Sequence, residues 1–296
     1  MKIDSAKIEA LRELLAAPRR KIVLVAHTNP DGDAIGASTA WRDVLAAMGH
    51  EVTMIVPNKY PYFLDWMPDI REVVIFRFAP ERALEAIRGA DIVFCLDFNS
   101  LSRLEALSDA LAENTAARRV LIDHHLSPDG GFDLQFSYPQ SSSTCFLLYC
   151  IIEQLCGTEV ITRKMAEALY VGMMTDTGNF SFSFLTPALY RALAVLVEKG
   201  IDVAGIHNSV YNAYTEGRAR QLIDYIGSAL ESAPCVELWH VWQGGFYLFE
   251  ERPVVHRAAV RFDEFVVDDL RELGETDLWN NKETNRLSFY CLTVTR

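Results

Sequence analysis

Short apolar runs alternate along this chain with longer stretches in which apolar residues recur every three or four positions. The short runs are typical of buried strands, and the longer stretches predict amphipathic helices. Their alternation predicts βαβ units, so we expect an α/β domain with a mostly parallel sheet flanked by helices. Predicted strands cover residues 22–26, 51–56, 73–76, 91–96 and 119–122, and predicted helices cover about 8–15, 34–48, 81–88, 103–112, 141–155, 162–174 and 187–200.

Two other stretches lack this regular pattern. Residues 127–142 are rich in Gly, Ser, Pro and Asp and are expected to form a loop. From about Pro234 the periodicity is poor, and one strand is predicted at residues 287–294. We therefore expect a regular α/β domain followed by a short and atypical C-terminal region.

Composition narrows the class of protein. The net charge of −12 argues against a broad basic surface for duplex nucleic acid. It leaves an anionic substrate possible, because bound divalent metals reverse the local sign of the field. No apolar run reaches membrane-spanning length and no signal peptide is evident, and the six cysteines lack metal-type pairing. These features predict a cytoplasmic protein with reduced, mostly buried thiols.

A polar turn follows the first predicted strand, and it contains His27, Asp31 and Asp33. Ligands of open α/β sheets bind at the carboxyl ends of strands, where this turn lies. One imidazole and two carboxylates suit a divalent cation. The alternative is purely structural: Asp33 would cap the helix that opens at Ala34. The turn alone does not decide between the two interpretations.

Three further polar groups follow apolar segments. Asp97 comes after one strand, Asp123-His124-His125 end the last, and Asp176 follows a helix. Each has a structural explanation as a cap or a polar strand end, but four such groups are unlikely to coincide by chance. Because parallel strands end at one edge of the sheet, we expect these side chains to meet. Together they could hold two metal ions around a shared carboxylate, with Mn²⁺ preferred and Mg²⁺ or Zn²⁺ possible. The candidate metal ligands are His27, Asp31, Asp33, Asp97, His124 and Asp176, and Asp123 could orient a histidine ring.

The order of these groups resembles the four motifs of the DHH phosphoesterase superfamily. The matching stretches are HTNPDGD at residues 27–33, Asp97, DHH at residues 123–125 and TDTG at residues 175–178. The continuation GNFSF at residues 178–182 is similar to the branch of nanoRNases and phosphoadenosine phosphatases. The resemblance implies that His27, Asp31 and Asp97 hold one metal and that Asp33, Asp97 and His124 hold the other, completed by Asp176. It also implies that His125 lies near the scissile phosphate, supported by Asp123, and that Arg103 contacts phosphate.

The C-terminal region departs from this family pattern. Members of the branch carry a second domain, DHHA1, with a glycine-rich GGGH motif, whereas here Gly244-Gly245 is followed by Phe246. The expected organisation is a DHH domain at residues 1–195, a linker at 196–215 and an incomplete or altered DHHA1-like region at 216–296. Arg218 and Arg220 are expected to bind substrate. The tail is either a shorter true domain or a slipped reading frame after about residue 230.

Three functional hypotheses follow from the resemblance. The first is a two-metal phosphoesterase that hydrolyses short single-stranded oligoribonucleotides or 3′-phosphoadenosine 5′-phosphate, with a homodimer as the candidate assembly. The second is an inorganic pyrophosphatase of the same superfamily. The third is a catalytically idle metal-binding module that lacks its substrate domain. We expect no duplex nucleic acid and no membrane as partner.

Overall fold

The computed structural model describes residues 1–17, 19–181 and 184–212, and the backbone of four strands within residues 235–295. The chain divides into two compact units, Met1–Val210 and Tyr211–Arg296. This boundary falls within the predicted linker at 196–215, while the predicted identities of the domains stay predictions. No helix in the described ranges has the length and apolar character needed to cross a membrane.

The first unit is built on a six-stranded parallel sheet, which confirms the predicted fold class. From the centre the chain adds strands first on one side and then on the other, giving the order β3-β2-β1-β4-β5-β6. The order therefore reverses between β1 and β4, and crevices at such switch points are the usual ligand sites of these sheets. The strands are β1 Lys21–Ala26, β2 Glu51–Val56, β3 Val74–Ile75, β4 Ile92–Leu96, β5 Arg118–Asp123 and β6 Leu134–Ser137.

Helices cover both faces of the sheet, which explains why the central strand Ile92–Leu96 is apolar at every position and the strand Lys21–Ala26 at every position after Lys21. One face packs α3 and α4 around Val23, Val93 and Leu121. On the other face Trp41 of α2 meets Phe94 of β4 edge to face, with ring centroids 5.5 Å apart. The helices are α1 Ser5–Leu15, α2 Gly32–Ala47, α3 Pro80–Arg88, α4 Leu107–Glu113, α5 Thr144–Cys156, α6 Arg163–Asp176, α7 Pro187–Glu198 and α8 Val203–His207.

Three local predictions were wrong. The predicted loop at 127–142 contains the edge strand β6, in which only Phe136 is buried, so its hydrophobic signal was too weak to detect. The predicted helix at 103–112 is divided into a 3₁₀ turn and α4, because Glu105 adopts φ +50°. Helix α2 begins at Gly32 and not at the predicted Ala34, and its cap is Asp31, whose carboxylate accepts from the amides of Asp33 and Ala34 at 3.0 Å. The Asp33 carboxylate is therefore not used as the helix cap and is available for other contacts.

The described strands of the second unit form an antiparallel sheet in the order β8-β7-β10-β9. The predicted strand at 287–294 overlaps β10, whereas the predicted substrate-binding residues Arg218 and Arg220 lie outside the described residues. The two accounts of the tail both stay open. The strands are β7 Cys235–Val241, β8 Gly245–Glu250, β9 Thr276–Asn280 and β10 Tyr290–Thr295.

Four of the six cysteines lie in the described part of the first unit, and all four are free thiols. Cys95, Cys145 and Cys150 are buried, and Cys156 is partly exposed. Burial raises the pKa of Cys95 to about 12 and that of Cys150 to about 11, so both stay protonated at neutral pH. The expectation of reduced, largely buried thiols is met for these four residues.

Candidate metal centre

The switch point brings the predicted ligands together. His27 follows β1 and Asp97 follows the adjacent strand β4, while His124 follows β5 on the far side of β4. Parallel pairing ends all three strands at the same edge. The turn into α2 adds Asp31 and Asp33 from one side of that edge. Asp176, the last residue of α6, completes the cluster.

Asp97 lies at the centre of this cluster and is only 2% exposed. Its Oδ2 is 3.5 Å from Nε2 of His27, and its Oδ1 is 3.6 Å from Nε2 of His124. The backbone of Asp97 has φ +65°, a left-handed conformation that is strained for a residue with a Cβ and is often found at functional sites. One carboxylate thus presents a different oxygen to each of two histidines.

Groups of side chains that could hold a cation surround both oxygens of Asp97. Within each group the ligand atoms lie within 4.8 Å of one another. All six predicted metal ligands fall into these groups, and Asp97 joins the set of His27 to the set of His124. The groups are His27, Asp31 and Asp97; Asp33, His124 and Asp176; and Asp97, His124 and His125.

The electrostatics of the cluster favour a bound cation. Burial, followed by the charges of neighbouring carboxylates, raises the pKa values of Asp33 and Asp97 well above their ordinary range. Within the described residues the ion pairs of these two aspartates involve only histidines. Although burial alone would lower it, the hydrogen bond that His124 donates to Asp176 and the charges of Asp33 and Asp97 raise the pKa of His124 to about 10. A bound cation would stabilise the charged form of carboxylates buried without lysine or arginine, and oxygen and imidazole donors fit Mn²⁺, Mg²⁺ or Zn²⁺.

The first turn of α5 holds Asp33 in place. The backbone amides of Thr144 and Cys145 donate to its two carboxylate oxygens at 2.6 and 2.8 Å. These amides have no partner within their own helix and lie at the positive end of its dipole, which stabilises the carboxylate. The sequence predicted that a helix begins in the serine-rich run at 141–144 but gave no sign that it faces Asp33.

Close packing of three helices fixes the same carboxylate from behind. Gly172 of α6 lies so near to α2 and α5 that a Cβ there would overlap Cys145 Sγ and stand 2.7 Å from Asp33 Oδ1. Gly36 of α2 likewise lies against the carbonyl oxygen of Ala168. Neither glycine stands out in the sequence, because neither occupies a turn.

The DHH triplet supplies a second kind of arrangement. Nδ1 of His125 lies 2.7 Å from Oδ1 of Asp123, which is fully buried at the end of β5. The Asp123 carboxylate therefore orients the His125 ring, as the sequence suggested for Asp123. His125 itself is partly exposed. A fixed and accessible imidazole beside the ligands is suited to contact a bound molecule.

The backbone of Arg103 contacts the turn that follows β1, next to the metal centre. Its carbonyl oxygen accepts from the amide of Thr28 at 2.9 Å, which ties the 3₁₀ turn at Leu101–Leu104 to the turn after β1. Arg103 is exposed. Its predicted contact with phosphate stays a prediction.

Comparison with known proteins identifies the class. A model of the DHH family, N-terminal domain, matches residues 21–173, more than half of the chain. The chain therefore belongs to the DHH family. The match spans β1 to α6 and so covers nearly every predicted ligand.

The similarity extends to particular relatives. The chain is 28% identical over 198 residues to the bifunctional oligoribonuclease and PAP phosphatase NrnA of Thermus thermophilus, covering 67% of this chain and 56% of that protein. It is 25% identical over 193 residues to the protein of the same name in Bacillus subtilis, covering 64% and 56%. An exopolyphosphatase-related protein from Bacteroides fragilis has a similar structure, with TM-score 0.73 and 38% identity over 76% of this chain and 66% of that one. The chain thus resembles the NrnA-like branch but spans only about half the length of these curated relatives.

We predict that Gly172→Ala weakens Mn²⁺ binding although it removes no ligand. The added methyl group would press on Cys145 and Asp33 and should cost about 1–3 kcal/mol of stability. Gly89→Ala is the matched control, because the nearest atom to its Cβ would be 3.4 Å away. Thermal unfolding and equilibrium Mn²⁺ binding measure the two effects. If Gly172→Ala binds and unfolds like the wild type, this close packing does not support the site.

A second prediction concerns pH. Because the pKa of His124 is raised to about 10 in the metal-free protein, the ring is protonated at neutral pH and must lose its proton to bind a metal. Mn²⁺ affinity should therefore rise as the pH increases from 6.5 to 8.5, by about tenfold per unit for each proton displaced. Calorimetric titration in buffers of different protonation enthalpy counts these protons, and His124→Gln should release one fewer. An affinity that is independent of pH would contradict histidine ligation at this position.

Proposed function

We propose that this chain is a two-metal phosphoesterase that hydrolyses short oligoribonucleotides, 3′-phosphoadenosine 5′-phosphate, or both. The observation that carries the proposal is the position of Asp97, whose two oxygens face separate sets of ligands. A shared carboxylate of this kind is what a pair of ions acting on one phosphoryl group requires.

This geometry supports the proposed ligand assignments. His27, Asp31 and Asp97 would hold one ion, and Asp33, Asp97, His124 and Asp176 the other, with Mn²⁺ as the preferred metal. Such a pair of ions, when bound, supplies Lewis acidity towards phosphoryl oxygens and activates a water for in-line attack.

Other residues of the chain would act on the substrate. His125, oriented by Asp123 at 2.7 Å, would donate a hydrogen bond to a phosphoryl oxygen at the edge of the metal cluster. Arg103 would contact a phosphate from the neighbouring turn. Arg218 and Arg220 are proposed to bind the remainder of the substrate.

The choice of substrate rests on the relatives. Two of them are named as bifunctional oligoribonucleases and PAP phosphatases, and they match 67% and 64% of this chain. The net charge of −12 favours a small substrate held at the metals over a long nucleic acid held by a basic surface. We therefore propose a cytoplasmic enzyme for small phosphorylated substrates.

A substrate panel tests the proposal. With saturating Mn²⁺, the full chain should cleave pApA, 3′-phosphoadenosine 5′-phosphate or both in preference to pyrophosphate, and chelation should abolish the activity. Asp97→Asn keeps the shape of the side chain but removes its charge, so it should reduce turnover to background. Asp109→Asn changes an exposed carboxylate on α4 and should act like the wild type.

Three results would contradict the proposal. A preference for pyrophosphate would support the inorganic pyrophosphatase hypothesis instead. Two bound Mn²⁺ ions without hydrolysis of any phosphoester, bis-p-nitrophenyl phosphate included, would favour the idle module. Full turnover by Asp97→Asn would remove Asp97 from its proposed role.

A further inference from the structure

Thr144 connects the two most deeply buried carboxylates of the cluster. It is the first residue of α5 and is itself fully buried. Its hydroxyl donates to Oδ1 of Asp97 at 2.9 Å, while its backbone amide donates to Oδ2 of Asp33 at 2.6 Å. One residue thus contacts both a strand-end carboxylate and one from the first turn of α2.

The helix that carries Thr144 is firmly placed. Ser143 caps α5, its hydroxyl accepting from the amide of Phe146 at 2.9 Å. The backbone amide of Cys145, the residue after Thr144, donates to the other oxygen of Asp33 at 2.8 Å. The Thr144 hydroxyl is therefore presented from a rigid support.

The hydrogen bond from Thr144 is directed to one oxygen of Asp97 only. Oδ1, which accepts it, is the oxygen 3.6 Å from His124, whereas Oδ2 is 3.5 Å from His27. Thr144 therefore acts on the side of Asp97 that belongs with Asp33, His124 and Asp176. The set of His27 and Asp31 faces the oxygen that Thr144 does not bond.

We propose that Thr144 is a positioning residue for one of the two metal ions, the one held by Asp33, Asp97 and His124, and that it has little effect on the other. This inference rests on the proposed two-metal function. The hydroxyl occupies one lone pair of Oδ1 and fixes the plane of the carboxylate, leaving the other lone pair for the ion. Its loss would let a strained, buried carboxylate turn away from Asp33, which carries the same charge.

A matched pair of variants isolates the hydroxyl. Thr144→Val has nearly the same shape and keeps the backbone amide that bonds Asp33, but it cannot donate to Asp97. Thr144→Ser keeps the donor and loses only a methyl group. If Thr144 merely filled space, valine would be the milder change. If it positions Asp97, serine would be the milder change.

The readout is Mn²⁺ binding to the full chain, measured by calorimetry and by the electron paramagnetic resonance signal of free Mn²⁺. Thr144→Val should weaken one of two binding events by about 10–100-fold, the range typical for loss of a residue that orients a ligand. The other event should change by less than about threefold. Thr144→Ser should restore wild-type binding at both.

Two background variants assign the affected event to its ligand set. In His27→Gln, where the set of His27 is weakened, Thr144→Val should still reduce the remaining binding. In His124→Gln it should have little further effect, because the ion it supports is already lost. Such non-additivity is expected only of groups that act on the same ion.

The proposal is overturned if Thr144→Val binds both ions like the wild type, if it weakens both equally, or if Thr144→Ser is as defective as valine. These outcomes are separate from a failure of the proposed function. A wild-type chain that binds two Mn²⁺ ions but cleaves no substrate would contradict the function and leave the role of Thr144 intact. A cleaving enzyme with unaltered Thr144→Val binding would do the reverse.

Discussion

Burial of carboxylates at one edge of the sheet is the constraint on which the rest of the structure depends. Asp33 and Asp97 are almost completely excluded from water, and Asp31 and Asp176 lie close by. A buried charge is costly unless it is paired or fully hydrogen-bonded. Among the described residues, histidines and oriented backbone amides contact these carboxylates in place of lysine or arginine. The cluster is therefore well suited to hold a cation.

Several features of the fold stabilise or fix these buried carboxylates. The first turn of α5 points two amides at Asp33, and the glycines of α2 and α6 let the helices approach closely enough to lock that carboxylate. At the end of β4 the chain accepts a left-handed backbone at Asp97. Each of these arrangements sacrifices some conformational freedom for a fixed ligand geometry, which is the usual compromise at functional sites.

Much of this organisation could be predicted from the sequence. The apolar runs predicted the parallel sheet, and the polar groups that follow them predicted that His27, Asp97 and His124 lie at its carboxyl edge. Local pattern did not reveal β6, because an edge strand with a single buried residue has little hydrophobic signal. It also offered Asp33 as a possible cap of α2, whereas Asp31 is the cap, since either aspartate is acceptable there when only the order of residues is known. Thr144 and Gly172 were missed because their importance depends on contacts between elements distant in the chain.

We propose that one buried carboxylate, Asp97, joins two metal ions. Diffraction from Mn²⁺-soaked crystals, with data collected on both sides of the manganese absorption edge, tests it most directly. A bridging Asp97 predicts two anomalous peaks about 3.5–4 Å apart, one beside Oδ2 of Asp97 with His27 and the other beside Oδ1 with His124. A single peak at full occupancy, or two peaks that do not share Asp97, would contradict it.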